Sequence, residues 1–286
     1  MYLSKEIRLR SKFFARNLVI FRFGAFAGAT LIVFIIPFLG SIAAALLQPD
    51  WGALLAAQDL QSAYGFAGIS LGTSLGLFIL NAPLLFGLFS WMSELTMGRS
   101  HPLRYLFNWC AQGVRLTKAF GAAAVFVAKA LWEAVKFCVL PVAGIVLLEL
   151  TAQTIGTGYG PLQVMLMLFL AIGLVYTLIR AFANFPALYL LAAVPEMAVR
   201  EAFNQCRDFM YDKKGEFFKL LLSFLPWYFA ENLSYGLIGL FAKPYFYLSL
   251  LYFVQQIYNK WLYETGKVDR YVDPLTNLFE GGNADV

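Results

Sequence analysis

The chain has 286 residues, 60% of them hydrophobic and 17% aromatic, with only 14% charged and a formal net charge of +5. That composition, with a mean hydropathy of +0.67, is far more apolar than a soluble domain of this length needs. The basic residues are dispersed along segment edges with no basic face or nucleic-acid-binding signature, which argues against a nucleic-acid partner. The three cysteines, Cys110, Cys138 and Cys206, lie far apart without paired spacing, so neither a disulfide framework nor a zinc site is expected.

In chain order, the first segment is basic (Lys5, Arg8, Arg10, Lys12, Arg16, Arg22) and reads as a cytoplasmic N-terminal tail over 1–23. An apolar run follows over 24–47, too long for the core of a cleavable signal and therefore expected as a retained membrane helix. The next connection holds Asp50 and Asp59 but no basic residue, with Trp51 and Tyr64 suited to an outer interface. The second span, 66–91, carries Gly68, Gly72 and Gly76 on one face. Glycine at every fourth position lets another helix approach closely, so these three are expected to form a helix-packing seam. Asn81 and Pro83 lie deeper, and Pro83 predicts a kink near Ile79.

A basic connection contains an amphipathic surface helix over 103–118. The third span is read as 125–151. Its start depends on Lys129, Glu133 and Lys136, which recur on one helical face. If Trp132 marks the inner interface, all three lie near lipid headgroups; otherwise they form a charged patch inside the bundle. The fourth span, 162–182, ends at Arg180, an inner boundary marker. A charge at the centre of a longer span would cost about 2.5–3.5 kcal/mol, so the stretch to Pro195 is drawn as interfacial or folded back. A second amphipathic surface helix covers 196–212, with Val199, Ala202, Phe203, Cys206 and Met210 on its apolar side. Spans over 216–233 and 239–262 complete a membrane domain of 24–263, and a polar cytoplasmic tail occupies 264–286.

Lys and Arg thus fall in alternate connections. By the positive-inside rule this gives an all-α polytopic membrane protein of six transmembrane helices with cytoplasmic surface helices, N-in and C-in.

From about Thr96 onward, three stretches carry a family resemblance: PALYLLAAVPEM, AVREAFNQCRDFMYDKKGEFFKLLLSFLPW and KPYFYLSLLYFVQQIY. They resemble a bacterial multi-pass membrane family catalogued as domain of unknown function nine hundred seventy-five. Its ordered landmarks would fall here on Arg180, Pro195, Glu196, Leu222, Ser223, Phe224, Trp227, Pro244 and Tyr245. AVPEM replaces an Asp-Asn-Pro type of turn, and Pro226 stands where the family commonly has Gly. The resemblance implies a six-helix bacterial membrane protein and supplies no reaction.

No motif adds one. His101 is the sole histidine and lies in a loop beside Arg99 and Pro102. GxSxG is spelled only at 68–72 and 72–76, inside the apolar second span rather than at a strand-to-helix turn; there is no HExxH or Walker-type loop, and GTGYG at 156–160 has no Lys-Ser/Thr after it. No enzyme activity, cofactor or metal is expected. Glu231 and Lys243 flank a short outer turn and are expected to pair there. Asn81, Glu133 and Lys136 are the candidates for a polar cavity in the inner half of the bundle. Arg180, Arg200, Arg207, Lys213 and Lys214 are the candidates for cytoplasmic docking or lipid headgroup contact. The expected partners are a bilayer with anionic headgroups and a protein partner or second copy. The expected function is that of an accessory, scaffold or assembly component of a complex in the bacterial inner membrane. The alternative is a transporter or permease subunit for a small or amphiphilic substrate.

Overall fold

The computed structural model describes residues 4–47, 60–155, 160–234 and 236–269. Among these the chain is all-α, without strands. The helices are α1 (Ser4–Phe21), α2 (Phe23–Leu47), α3 (Leu60–Thr96), α4 (Asn108–Ala111), α5 (Gly113–Ile155), α6 (Gly160–Ala183), α7 (Pro186–Ala193), α8 (Val199–Phe209), α9 (Lys214–Leu222), α10 (Leu225–Leu233) and α11 (Gly239–Glu264), with a 3-10 turn at Leu103–Phe107. Trp51 and most of GTGYG fall outside the described residues.

Among the described residues, four helices are long and apolar enough to cross a membrane, in the windows Phe23–Gly40, Gly68–Thr96, Gly113–Leu148 and Gly160–Ala193. The expected fifth and sixth spans are not among them. Pro226 lacks an N–H, and its ring would collide with the carbonyl four residues back. The expected span 216–233 is accordingly split into α9 and α10, with Ser223 and Phe224 between them.

The hydrophobic core is concentrated at one end of the molecule. Along α3 the change is abrupt: Gly68 to Leu80 are exposed or half-buried, whereas from Asn81 to Thr96 nearly every residue is buried. This inner half of α3 is a pillar for α2, α5, α7, α11 and the 103–111 turn. Trp109 Nε1 donates to Ser90 Oγ at 2.8 Å, and Ser90 Oγ donates to the Ala192 carbonyl at 2.7 Å. One buried hydroxyl thereby ties α4 to α3 and α3 to α7. Gly87 stands at the closest approach in this region: a Cβ there would lie 1.8 Å from the Leu106 carbonyl oxygen. Past Thr96 the pillar closes on Gly98, whose positive φ of 78° lets Arg99 N–H reach the Glu94 carbonyl at 3.0 Å.

The N-terminal segment, expected only as a basic tail, forms helix α1. Ile7, Ser11, Ala15 and Val19 recur every fourth residue and are buried, and α1 packs most extensively against α11. Small side chains at 11 and 15 allow this approach. Arg8 pairs with Glu216 at 3.3 Å, and Lys12 Nζ donates to Ser223 Oγ at 3.2 Å.

The third helix differs most from expectation. Residues 113–118, assigned to a separate surface helix, belong to α5, which runs unbroken for 43 residues, about 64 Å at the helical rise. Its first part packs on the pillar through Ala119, Ala122 and Ala123. The remainder leaves the core and pairs with α6, where Gly173 allows the helices to touch: a Cβ there would lie 2.8 Å from the Phe137 carbonyl oxygen. The segment after Arg180 is folded back. Pro186 opens α7 at a position where a missing N–H costs nothing, and Pro186 to Ala192 are all buried.

The packing at Gly87 makes a prediction. Gly87→Ala pushes a methyl against the Leu106 backbone and is expected to cost about 1–3 kcal/mol, read as a lower midpoint in a detergent thermal-unfolding assay. Gly72→Ala, where a Cβ meets nothing within 4 Å, should leave the midpoint unchanged. Equal midpoints for both variants would contradict this packing.

Candidate functional site

A layer of aromatic rings crosses the molecule where the exposed apolar helices meet the core. Phe126 of α5, Phe185, Tyr189 of α7, Phe89 of α3, Tyr247 of α11 and Phe34 of α2 form a chain with successive centroids 4.1–5.9 Å apart. Charged side chains gather along it. Lys243 Nζ lies 4.6 Å from the Phe34 ring centroid and 2.8 Å from Glu231 Oε1, so the expected Glu231–Lys243 pair forms. Gly239 leaves room for that carboxylate, since a Cβ there would lie 2.6 Å from Glu231 Oε1.

Across the molecule, α5, α6, α8 and α9 enclose a cleft of about 270 Å³ lined by Lys129, Trp132, Glu133, Arg180, Ala183, Asn184, Arg207, Met210 and Lys214. Each cation is placed by its helix. Lys129 follows the last core-facing turn of α5 and holds its ammonium 4.5 Å from the Phe203 ring. Arg180 ends α6 and donates to the Tyr176 hydroxyl at 2.6 and 3.0 Å. Arg207 closes α8 beside Asp208 at 3.5 Å, and Lys214 opens α9 with its ammonium 5.9 Å from the Tyr211 ring. Glu133, the one carboxylate in the lining, accepts a hydrogen bond from Lys136 at 3.0 Å. Among the described residues, no carboxylate lies within ion-pair distance of Lys129, Arg180 or Lys214. Four cations facing one engaged carboxylate make this an anion-attracting pocket.

The sequence candidates are redistributed by this geometry. Arg180, Arg207 and Lys214 meet in the cleft, whereas Arg200 and Lys213 do not line it. Glu133 lines it and Lys136 lies outside, 5.4 Å above the Trp132 ring. Asn81 is buried in α3 with an unpartnered Oδ1 and lines neither this cleft nor the second cavity. That second cavity, of about 300 Å³, lies between α3, α7 and α11, where Gln255 Nε2 donates to Thr96 Oγ1 at 3.1 Å. Among the described residues, a Cβ added at Gly68, Gly72 or Gly76 has nothing within 4 Å. His101 stacks on Tyr105 at 4.6 Å and points Nε2 toward Glu94 at 3.5 Å. Lys129 is the cleft cation absent from the sequence candidates, although the sequence places it on one face with Glu133 and Lys136. Its signal was present in the spacing Lys129–Glu133, one turn on one face.

The floor of the cleft is α8, whose Phe203 and Cys206 turn inward as the amphipathic pattern requires. Cys206 Sγ lies 3.4 Å from the Ala183 carbonyl. Burial pushes its thiol up to about 12, against a smaller opposing pull from the Ala187 backbone and the Lys129 and Lys214 ammonium groups.

Four membrane-length apolar helices on an all-α inner body define a class compatible with an integral membrane protein. More narrowly, the chain belongs to the family described as "Protein of unknown function (DUF975)", whose model matches residues 1–260. The match extends to the N-terminus, beyond the stretch from Thr96 that carries the resemblance. No curated protein and no solved structure matches the chain.

Docking of α8 is expected to make Cys206 inert. In a variant retaining it as the sole cysteine, maleimide at pH 7.5 should label it only after denaturation, because the thiol stays neutral well below its raised pKa. Rapid labelling of the folded protein would place α8 away from the body.

Proposed function

We propose that this chain is a non-enzymatic integral protein of the bacterial inner membrane, with both termini cytoplasmic, acting as an accessory, scaffold or assembly component of a membrane complex. The observation that carries the reading is the division of the molecule at the aromatic layer. On one side α2, α3, α5 and α6 project with apolar side chains such as Leu71, Leu140, Leu168 and Ile172 exposed. On the other lies a packed body edged with Lys and Arg. Lipid tails cover the first surface, and the cytoplasm, facing anionic headgroups and partners, receives the second.

In this reading the spans number four rather than six. From Phe126 to its end, α5 extends about 43 Å beyond the aromatic layer, and from Phe89 back to its start α3 does the same. Helix α11 reaches only eight residues from Tyr247 back to Gly239, about 12 Å, while the hydrocarbon core is about 30 Å thick. The α10–α11 hairpin is therefore an interfacial insertion with the Glu231–Lys243 pair near headgroup level. An even number of crossings is retained, and with it the placement of both termini on one side.

Transport of a small or amphiphilic substrate is the alternative reading. It draws on the unpartnered Asn81 Oδ1, and it requires substrate flux in proteoliposomes that Asn81→Ala abolishes.

Two measurements on one set of cells test the proposal. A single cysteine at the exposed Leu237 should be inaccessible to a membrane-impermeant maleimide added outside spheroplasts and should be labelled in inverted vesicles; labelling from outside would restore the six-span arrangement. Photo-crosslinkers at Leu168 and Ile172 should join the chain to a defined second copy or partner in native membranes. A monomer crosslinked to nothing but lipid would contradict the scaffold role.

A further inference from the structure

We infer that the cleft between α5, α6, α8 and α9 is a binding site for the phosphate group of an anionic phospholipid whose acyl chains lie along the exposed α5–α6 face. The inference deepens the membrane reading and rests on it. Three features of the cleft point to a phosphate. Lys129, Arg180, Arg207 and Lys214 line about 270 Å³ together. Three of the four lack a carboxylate partner among the described residues. The cluster combines guanidinium donors in a planar fork with flexible ammonium donors, a set suited to phosphate oxygens. Lys129 is half-buried, with its ammonium over the Phe203 ring. A partly desolvated ammonium facing like charges is costly until an anion neutralises the group.

The surroundings select a lipid over free phosphate. Trp132 forms part of the lining and is itself largely exposed, as expected of an indole at headgroup level. One to two turns farther along the same helices, Val135, Val139, Val175 and Ile172 are exposed and apolar. A ligand with its phosphate in the cleft thus meets continuous apolar surface in one direction, which inorganic phosphate would leave unused. Glu133 at the rim, already holding Lys136, disfavours a headgroup with a second negative charge on that side and leaves the α6–α9 side for the phosphate.

The test uses the full chain in nanodiscs of phosphatidylcholine with and without phosphatidylglycerol, and native mass spectrometry of lipids retained after delipidation. Wild type should keep phosphatidylglycerol in preference to phosphatidylcholine. Lys129→Gln and Arg180→Gln should each weaken retention about fivefold, Lys129→Arg should preserve it, and Arg200→Gln, outside the cleft, should leave it unchanged. Size-exclusion profiles and helical circular dichroism identify any variant that fails to fold, and Lys214→Gln then takes its place. Equal retention of the two lipids, or a loss with Arg200→Gln as large as with the cleft variants, would overturn the proposal. Displacement of phosphatidylglycerol by millimolar inorganic phosphate would assign the cleft to a soluble anion and overturn it as well. Flotation of native membranes separates this failure from that of the underlying reading. A chain that floats after carbonate extraction yet shows no lipid preference loses the site only, and a chain that fails to float loses the membrane assignment too.

Discussion

A charge is costly in hydrocarbon, and this constraint places most of what the molecule does at one level. Lys243 lies over Phe34 of the aromatic layer, Lys129 follows its Phe126 by one turn of α5, and Arg180 stands in the last turn of α6. Beyond that layer α5 and α6 continue with long exposed apolar faces. Behind it lies a packed helical body with a continuous buried hydrophobic core. In the proposed reading two solvents meet across this layer of rings, and α3 and α5 run through it without interruption.

The body behind the layer depends on backbone proximity as much as on apolar burial. Gly87 admits the Leu106 carbonyl, and Ser90 joins Trp109 to Ala192. These contacts fix α7, a short buried helix that α6 leads into through Asn184 and Phe185. The placement of α7 in turn decides where Ala183 and Cys206 meet, and so where α8 lies as the floor of the basic cleft. A change at Gly87, distant in sequence from every cation of the site, would be felt there through these packed intermediates.

Much of this was legible from composition and periodicity. Arg180 reads correctly as the end of an apolar helix, and the 3.6-residue pattern over 196–212 gives the amphipathic α8 with its inward Phe203 and Cys206. Helix α1 was less legible because its buried stripe of Ile7, Ser11, Ala15 and Val19 contains a serine and an alanine, weak apolar signals beside five basic residues. The continuation of α5 through 113–124 was concealed by charge: Arg115 and Lys118 suggested a surface helix, although a helix emerging from lipid into protein carries charges on its free side. The last two apolar segments, read as spans, are shorter or less apolar than the four membrane-length helices among the described residues. Hydropathy along α11 is high because Tyr245, Leu248, Tyr252 and Phe253 pack against other helices, and burial in protein leaves the same apolar record as burial in lipid, whereas α10 has no buried residue. The Gly68 to Gly76 spacing predicts a close helical neighbour, and among the described residues none comes within 4 Å of a Cβ placed there.

The depth of three sites relative to one bilayer tests the division most directly. Val114, Leu140 and Leu237 are 82%, 79% and 73% exposed, so spin labels there should perturb the fold little. Paramagnetic accessibility in liposomes should find Leu140 deep in hydrocarbon, Leu237 shallow at the interface and Val114 in water on the same side as Leu237. A Leu237 label as deep as Leu140, or one emerging on the side opposite Val114, would contradict a body that changes solvent at a single layer.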